Sequence, residues 1–323
     1  MKPFKNILYL CQSLDEEDQG IARAVSLAQN NQAQLLVLDV FPAISSMAGL
    51  PKEAPRAEAL MQAVMQERHR RLEALIDPHR ESVDIRYESL AGTRFLEAIR
   101  AVLRNGHDLV MKVAEDPPWL ERLFGSDDMH LLRKCPCPVW IMKAGDKTNY
   151  AQIVAAVDID PDDPSADPGR LNEDILHIAG SLALSDFAAL HLAHAWEAPQ
   201  AGFVSLWASD HDRAEREIIE GTRRSHQLGM DLLSRKLREL VGEEAYAYLS
   251  PRVHMPMGPP HKEIPAVVEN VDADLVVMGT VARTGIAGLF IGNTAENVID
   301  RLRCAVLAIK PNGFETPVRL DGA

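Results

Sequence analysis

Residues 274–311 read DLVVMGTVARTGIAGLFIGNTAENVIDRLRCAVLAIKP, and this stretch decides the fold. It begins with an apolar run of strand length, passes through a glycine-containing loop and a helical segment, and ends in a second apolar run over 305–310. Related segments occur earlier in the chain, HDLVMK at 107–112 and GSDDMHLLRKCPCPVWIMK at 125–143. The sequence therefore contains two copies of one unit.

The two copies are related by a constant spacing. Identical residues recur 167 positions apart, in the pairs Met111 and Met278, Gly125 and Gly292, Cys137 and Cys304, Val139 and Val306, and Lys143 and Lys310. Solenoid repeats have much shorter periods, so this spacing indicates a duplicated domain. We place the first repeat at 1–146, the second repeat at 151–312 and a carboxy-terminal tail at 313–323.

Strand and helix patterns alternate in both repeats. Strands are predicted at 5–11, 34–41, 83–90, 108–113 and 138–143, and again at 152–158, 187–195, 246–255, 274–279 and 305–310. Amphipathic helices are predicted between them, among them 20–30, 56–76, 94–105, 127–134, 171–184, 210–240 and 261–271. This order predicts an α/β fold of two tandem doubly wound domains, each a mostly parallel five-stranded sheet with helices on both faces.

Composition limits the classes of function. The chain has 323 residues, of which 46% are hydrophobic and 25% charged, as in ordinary globular proteins. A net charge of −13 argues against general binding to nucleic acid or to anionic membranes. The amino terminus lacks a signal-peptide pattern, no apolar run is long enough to span a bilayer, and four cysteines are too few for a disulfide framework. We therefore expect a cytoplasmic protein without membrane insertion.

The stretch at 274–311 resembles the carboxy-terminal signature of the universal stress protein family. That signature is a strand ending in Met-Gly, a phosphate loop written G-x-x-G, nine residues, and a Gly followed by Ser or Thr. The resemblance covers nearly the whole chain and fits the tandem members of the family. It implies a noncatalytic stress-response protein that binds ATP or a related nucleotide in its second repeat, with Mg²⁺ accompanying the phosphates. It also implies that the two repeats pair with each other as the family's homodimers do, and whether the tandem dimerises again stays open.

The site residues follow from matching this sequence to the family signature. The carboxylate that faces adenosine matches Asp158, and the apolar position beside adenine matches Ala195. The other predicted contacts around the phosphate loop are Met278, Gly279, Arg283, Gly292, Asn293 and Thr294. Glycines in such a loop let backbone amides approach phosphates closely, and the following helix terminus favours negative charge.

The second repeat departs from the signature at two positions. Ala282 stands where the second loop glycine is usual, and Asn293 stands where Ser or Thr is usual. An alanine is strained where the backbone needs a positive φ, and an amide cannot replace a hydroxyl in every role. Arg283 and Thr284 are either phosphate contacts or an exposed loop pair. The predicted nucleotide site is thus degenerate.

The first repeat departs further. Lys112 occupies the end of the strand where the family has Gly, Cys11 occupies the position of the first-strand aspartate, and no G-x-x-G is present. Asp127 and Asp128 follow Gly125-Ser126 and would repel a phosphate at the helix terminus. We therefore expect no nucleotide in the first repeat.

Other motifs have plain structural explanations. Cys135-Pro-Cys137 is either a metal or redox pair or part of the core, and the core is the better reading because Cys137 recurs as Cys304 before a strand. His191 and His194 lie three apart on one predicted strand, so they project to opposite faces and cannot chelate one ion together.

Two apolar stretches follow the second strand of each repeat, AISSMAGL at 43–50 and GFVSLWAS at 202–209. They either pack against the long helices or line a cavity for an apolar ligand. Two alternatives to nucleotide binding therefore remain, a slow ATPase and a carrier or interaction module for a lipid-like ligand or a protein partner. Few arranged acid and base groups around the loop argue against the ATPase.

Overall fold

The structure of the chain is a computed structural model. It describes residues 2–11, 14, 19–42, 55–114, 127–160, 162, 163, 165, 167, 170–205, 210–280 and 292–320. The apolar stretch at 43–50 and most of the predicted phosphate loop, 281–291, lie outside these residues.

The first repeat alternates strands and helices as predicted. Its strands are β1 (Asn6–Cys11), β2 (Gln34–Phe41), β3 (Ile85–Ala91), β4 (Leu109–Val113) and β5 (Val139–Met142). Its helices are α1 (Gln19–Asn31), α2 (Pro55–Ile76), α3 (Arg94–Asn105) and α4 (Asp127–Lys134), and a 3-10 turn spans Asp77–His79.

The second repeat has the same order with additional helices. Its strands are β6 (Gln152–Ala156), β7 (Ala189–Ala193), β8 (Arg252–His254), β9 (Leu275–Gly279) and β10 (Ala305–Ile309). Its helices are α5 (Leu171–Asp186), α6 (Pro199–Ser205), α7 (His211–Val241), α8 (Glu243–Leu249), α9 (Pro260–Asn270) and α10 (Asn293–Ile299).

The described strands form one ten-stranded sheet in the order β3-β2-β1-β4-β5-β10-β9-β6-β7-β8. All neighbours within each repeat are parallel, whereas β5 and β10 pair antiparallel at the centre, with Val306 opposite Ile141. The two halves of the sheet therefore point in opposite directions. Because ligands bind at the carboxyl ends of parallel strands, the two binding edges lie at opposite ends of the sheet.

Helices cover both faces of the sheet, which confirms the predicted fold class. One continuous core lies under α1, α2, α5, α7 and α8, and it includes the large buried side chains Tyr9, Trp140 and Tyr150. The other core lies under α3, α4, α9 and α10. Near-continuous burial of the central strands explains why they appear in the sequence as apolar runs.

The prediction of a strand over 246–255 was wrong for most of its length. Residues 243–249 form α8, and only Arg252–His254 pair with β7 as β8. Gly242, with φ at +88°, ends α7 and starts α8 without a loop. Tyr246 and Leu249 lie one helical turn apart, so the same alternating letters fit a short amphipathic helix. The apolar stretch at 202–209 is also partly helical, because α6 extends to Ser205.

Strand register corrects the matching of the repeats by one position. Asp108 accepts hydrogen bonds from the backbone at the start of β1, and Asp274 accepts the equivalent bonds at the start of β6. These two carboxylates are therefore counterparts, and the counterpart of Met278 is Lys112 rather than Met111. The second repeat has one more residue between Asp274 and Val306 than the first repeat has between Asp108 and Val139. Along β1 the same register matches Cys11 to Val157, so Cys11 does not replace Asp158.

A buried ion pair distinguishes the first repeat at this place. Lys112 is fully buried in β4, and its ammonium contacts the carboxylate of Asp128 on α4, which is also buried. The corresponding residues of the second repeat, Met278 and Ala295, belong to an apolar core. The first repeat thus places an opposite-charge pair where the second repeat has two uncharged, apolar side chains.

Candidate functional site

A cavity of about 560 Å³ opens at the carboxyl ends of β6 and β7. Its floor consists of residues that directly follow these strands, and its walls come from the start of α6 and from one face of α7. Parallel α/β sheets bind ligands at this edge. The cavity contains two of the predicted site residues, Asp158 and Ala195, which are 37 positions apart in the chain.

The backbone at Asp158 is held by the helix that follows it. The amide of Asp158 donates to Asn172 Oδ1 at 3.0 Å, and Asn172 Nδ2 donates back to the Asp158 carbonyl at 2.7 Å. Asp167 in turn accepts from the amides of Asn172 and Glu173, at 2.8 and 2.9 Å, and so caps the start of α5. This reciprocal bonding fixes where the chain leaves β6 and presents Asp158 to the cavity.

The chain after β7 forms the opposite side of the floor. Ala195 is buried, and Trp196 beside it donates its indole N–H to the Met255 carbonyl at 3.1 Å. The Trp196 amide also bonds to the Pro256 carbonyl at 3.2 Å, which ties this segment to the chain beyond β8. Ala195 and Trp196 both line the cavity, a small side chain next to a large aromatic one.

Two buried imidazoles also line the cavity. His194 Nδ1 lies 3.2 Å from the Val157 carbonyl, and His194 Nε2 lies 2.9 Å from His226 Nδ1. Because a carbonyl only accepts, His194 donates from Nδ1 to Val157. These contacts hold the His194 ring between β6 and α7, directly before Ala195.

The cavity is electrostatically negative. Three carboxylate residues line it, Asp158, Asp162 and Glu197, and no lysine or arginine is among its lining residues in the described part of the chain. Carboxylates repel phosphates at this range. The described lining of this cavity therefore does not favour a phosphate group.

The structure gives Gly279 a role in packing. A Cβ built on Gly279 would lie 2.6 Å from Leu171 Cδ2, which is closer than atoms in proteins approach. Glycine at the end of β9 therefore lets the first residue of α5 pack against the strand. Met278 is buried in the core under α9 and α10 and does not line the cavity.

The remaining predicted phosphate contacts lie on the far side of the loop. The Gly292 amide bonds to the Thr280 carbonyl at 2.9 Å, so the two ends of the loop meet. Asn293 is the first residue of α10 and Thr294 is the second. Ala282, Arg283 and Thr284 lie outside the described residues, so their contacts stay a prediction.

The first repeat has a cavity of about 550 Å³ at its own carboxyl edge, between the end of β2 and α2. By strand register Asp39 is the counterpart of His194, and Arg68 of α2 binds both Asp39 carboxylate oxygens at 2.6 Å. Three arginines, Arg68, Arg71 and Arg94, are among the lining residues. Glu67 is the one carboxylate among the lining residues of this cavity, so its described lining has more basic than acidic groups, in contrast to the second repeat.

Sequence reasoning placed His191 and His194 on opposite faces, and the structure gives them separate partners. His191 Nδ1 lies 2.8 Å from His254 Nε2, and His191 Nε2 lies 2.9 Å from Gln152 Oε1. Burial, with the nearby charges of His254 and Arg252, lowers the pKa of His191 to about 4. The ring is therefore neutral at physiological pH.

The low pKa of His191 predicts acid sensitivity. In the unfolded chain His191 takes up a proton near its ordinary pKa of about 6.5, whereas in the folded chain it does so only near pH 4. The contribution of His191 to the free energy of unfolding is therefore constant above about pH 6.5 and falls as the pH decreases from about 6.5 to about 4. We expect a loss of about 2 kcal/mol in the free energy of unfolding between about pH 7 and pH 5 from this residue.

Urea denaturation at the two pH values measures this loss. His191→Gln should show a flatter pH dependence, whereas His211→Gln, at an exposed imidazole on α7, should behave as the wild type. Equal pH dependence in His191→Gln and the wild type would contradict the assignment.

The two cysteines of Cys135-Pro-Cys137 are buried, with 3.6 Å between their sulfur atoms. The hydrogen bond with Cys135, together with burial, holds the pKa of Cys137 well above its usual range, so the thiol stays protonated. This is the environment of core cysteines rather than of a reactive pair. Among the described residues no group of three or more His, Cys, Asp or Glu side chains is arranged to hold a metal ion.

Sequence reasoning missed most of the cavity wall. His226 lies on α7, 32 positions beyond its partner His194, and nothing in the sequence links the two. Trp196 directly follows Ala195, and its position after the predicted adenine contact is the one signal that could have identified it. Glu197 and Asp162 reach the cavity from segments without a motif.

Fold and cavity together define a class, a tandem doubly wound α/β protein with a ligand-sized cavity at the carboxyl edge of its second half. The sequence also matches the model of the universal stress protein family over residues 3–143 and 150–310. The chain belongs to this family, whose proteins act in stress response. None of its described helices is both long and apolar enough to cross a membrane.

Relatives match over the full length. The chain is 31% identical over 329 residues to Universal stress protein E of Escherichia coli strain K12, covering 99% of this chain and 98% of that protein. It is 30% identical to the Universal stress protein E homolog of Haemophilus influenzae, covering 96% and 98%. A functionally unknown protein, PA1789 from Pseudomonas aeruginosa PAO1, has a similar crystal structure with a TM-score of 0.63, 25% identity and coverage of 96% and 94%.

Proposed function

We propose that the protein is a noncatalytic stress-response protein that binds the nucleoside part of ATP or a related nucleotide in its second repeat. The supporting observation is the cavity in which Asp158 and Ala195, the two positions that resemble the family's nucleoside contacts, come together from different strands. Its volume of about 560 Å³ lies in the range of small-molecule sites. The base would lie beside Ala195 and Trp196, and the Asp158 carboxylate would accept from sugar hydroxyls.

The phosphates would lie outside the negative cavity. In this proposal Arg283, Asn293 and Thr294 contact the phosphates, with the backbone of Gly279 and Gly292 at the two ends of the loop. Mg²⁺ would come with the nucleotide rather than reside in the protein. Because the phosphate loop is degenerate and the cavity is not, we expect the nucleoside part to contribute more binding energy than the phosphates.

Thermal unfolding with ligand tests this proposal, because a ligand that binds only the folded state raises the melting temperature. We expect millimolar ATP with Mg²⁺, and adenosine alone, to raise the melting temperature of the wild type. Ser225→Trp, on the face of α7 that lines the cavity, should abolish both shifts. Gln227→Trp, on the exposed face of the same helix, is the matched control and should retain them.

Absence of any shift in the wild type, or an unchanged shift in Ser225→Trp, would overturn the proposal. Variants at Gly279 are unsuitable, because a side chain there would collide with Leu171 and change stability by itself.

We also infer that the two repeats act as each other's partner, in place of a second subunit. Antiparallel pairing of β5 with β10 joins their sheets, and Arg133 of α4 bonds to Glu296 of α10 at 2.5 Å. On the other face Arg23 of α1 reaches Asp186 of α5. If this inference holds, loss of the Arg23 contact destabilises both repeats together.

A further inference from the structure

A second cavity, the linker cleft, lies between the repeats and away from the proposed nucleotide site. It has a volume of about 620 Å³ and is bounded by residues 143–147 after β5, by α9, by residues 272–274 and by residues 301–304 before β10. Residues 272–274 and 301–304 precede β9 and β10, so the cleft lies at the amino-terminal edge of the second repeat. The nucleotide cavity lies at the opposite, carboxyl edge.

Basic side chains concentrate in this cleft. Five line it, Lys143, Lys147, Lys262, Arg301 and Arg303, in a chain whose net charge is −13. Lys147 is paired with Asp274 at 2.7 Å. The other four cations form no ion pair with any residue in the described ranges. Unpaired cations facing one cavity in an acidic protein indicate an anionic ligand.

The carboxylates of the cleft neutralise these cations only in part. Asp274 is engaged by Lys147 and by the amides of Ala151 and Gln152, at 2.6 and 3.0 Å. Asp146 accepts from the Tyr150 hydroxyl at 2.6 Å, and burial raises the pKa of its carboxyl.

In all, four carboxylates, Asp146, Glu269, Asp272 and Asp274, line the cleft against five basic side chains. The surplus in the cleft is therefore positive.

Corresponding residues of the two repeats differ in exposure and in charge at this place. By the register of the last strands Lys143 corresponds to Lys310, and Arg303 corresponds to Pro136. Lys310 is buried, donates to Thr280 Oγ1 at 2.5 Å and to the Leu132 carbonyl, and lies 5.1 Å from the Phe314 ring. The carboxy-terminal tail thus covers Lys310, whereas Lys143 is exposed.

We propose that the linker cleft binds a small multivalent anion, a di- or polyphosphate or a polycarboxylate, through Lys143, Lys262, Arg301 and Arg303. A volume of about 620 Å³ suits a small molecule rather than a folded partner. Guanidinium groups bind phosphate and carboxylate oxygens in pairs, so Arg301 and Arg303 set the geometry and the lysines add charge. The bound anion would bridge the linker to α9 and to the turn before β10, and so stiffen the connection between the repeats.

Calorimetric titration of the whole chain with pyrophosphate and with citrate tests the proposal. We expect binding that weakens as salt is raised. Arg301→Ala with Arg303→Ala should weaken it at least about tenfold, because charge-assisted hydrogen bonds are lost. The matched control is Arg213→Ala with Arg224→Ala, which removes the same charge from exposed pairs on α7 and should leave affinity unchanged.

Each outcome of the titration either supports the proposal or overturns it. Binding of pyrophosphate alone or of citrate alone upholds the site and identifies its chemistry. No binding of either, or equal loss in both double variants, overturns the proposal. Ser225→Trp separates this site from the proposed nucleotide cavity, because pyrophosphate binding should survive in that variant. Loss of pyrophosphate binding there would place the anion in the nucleotide cavity and overturn the linker cleft.

Discussion

Asp186→Asn is expected to lower the free energy of unfolding by about 3–5 kcal/mol. The side chains of Asp186 and Arg23 are each about 1% exposed, and two hydrogen bonds of 2.7 and 3.1 Å join them across the repeats. Arg23 also donates to the Thr148 carbonyl at 2.5 Å, and Asp186 accepts from the Tyr150 amide at 3.0 Å. Removing the charge of Asp186 leaves the buried Arg23 guanidinium without its ion-pair partner, which accounts for the size of the effect.

Urea unfolding measured by fluorescence and by circular dichroism checks this expectation. Asp231→Asn, at an exposed position of α7, is the matched control and should leave the midpoint almost unchanged. Arg23→Met with Asp186→Leu should recover much of the lost stability, since an apolar pair of similar volume needs no desolvation of charge. A single variant as stable as the wild type would show that the pair does not join the repeats as inferred.

Asp128→Ala is expected to cost a similar amount, about 3–5 kcal/mol, through the first repeat alone. The substitution leaves the Lys112 ammonium in a fully buried site on β4 without its carboxylate partner. The double variant Lys112→Met with Asp128→Ala reproduces the residues at the same place in the second repeat, Met278 and Ala295. We therefore expect the double variant to be close to the wild type in stability, or above it.

Denaturant midpoints of the two single variants and the double variant form a thermodynamic cycle for this pair. An exposed pair, Arg213 with Glu217, provides the comparison, and its removal should change the midpoint little because solvent screens both charges. If the double variant were as unstable as Asp128→Ala, the buried charges would not be the cause of the loss.

The sequence predicted most of the fold because the central strands are buried on both faces. Such strands are continuous apolar runs, and eight of the ten described strands lie inside runs that end within about two residues of the observed bounds. The edge strand β8 was overestimated because it has three residues and little burial. In α8, Tyr246 and Tyr248 alternate with alanines, and this alternation gives the same sequence pattern as a strand.

The candidate site was predictable only where it follows strands. Asp158 and Ala195 come directly after β6 and β7, so an order of strands is enough to bring them together. His226 and the buried pairs depend on which face of a helix meets the sheet. A lysine within a strand, such as Lys112, indicates an exposed position until its partner is known. Residue identity between the repeats also gave an alignment that is off by one position in this strand, because Met111 and Met278 are identical but are not counterparts by strand register.

The antiparallel pair β5 and β10 joins two halves that are encoded separately in one chain, and this affects how mutations act on them. In a homodimer one gene encodes both subunits, so every substitution appears twice and must suit both sites. In this chain each half is encoded separately, and a change such as a lysine in β4 appears once. One half can therefore accumulate mutations while selection preserves the other, and the charge difference between the two carboxyl edges is the kind of divergence that this arrangement permits.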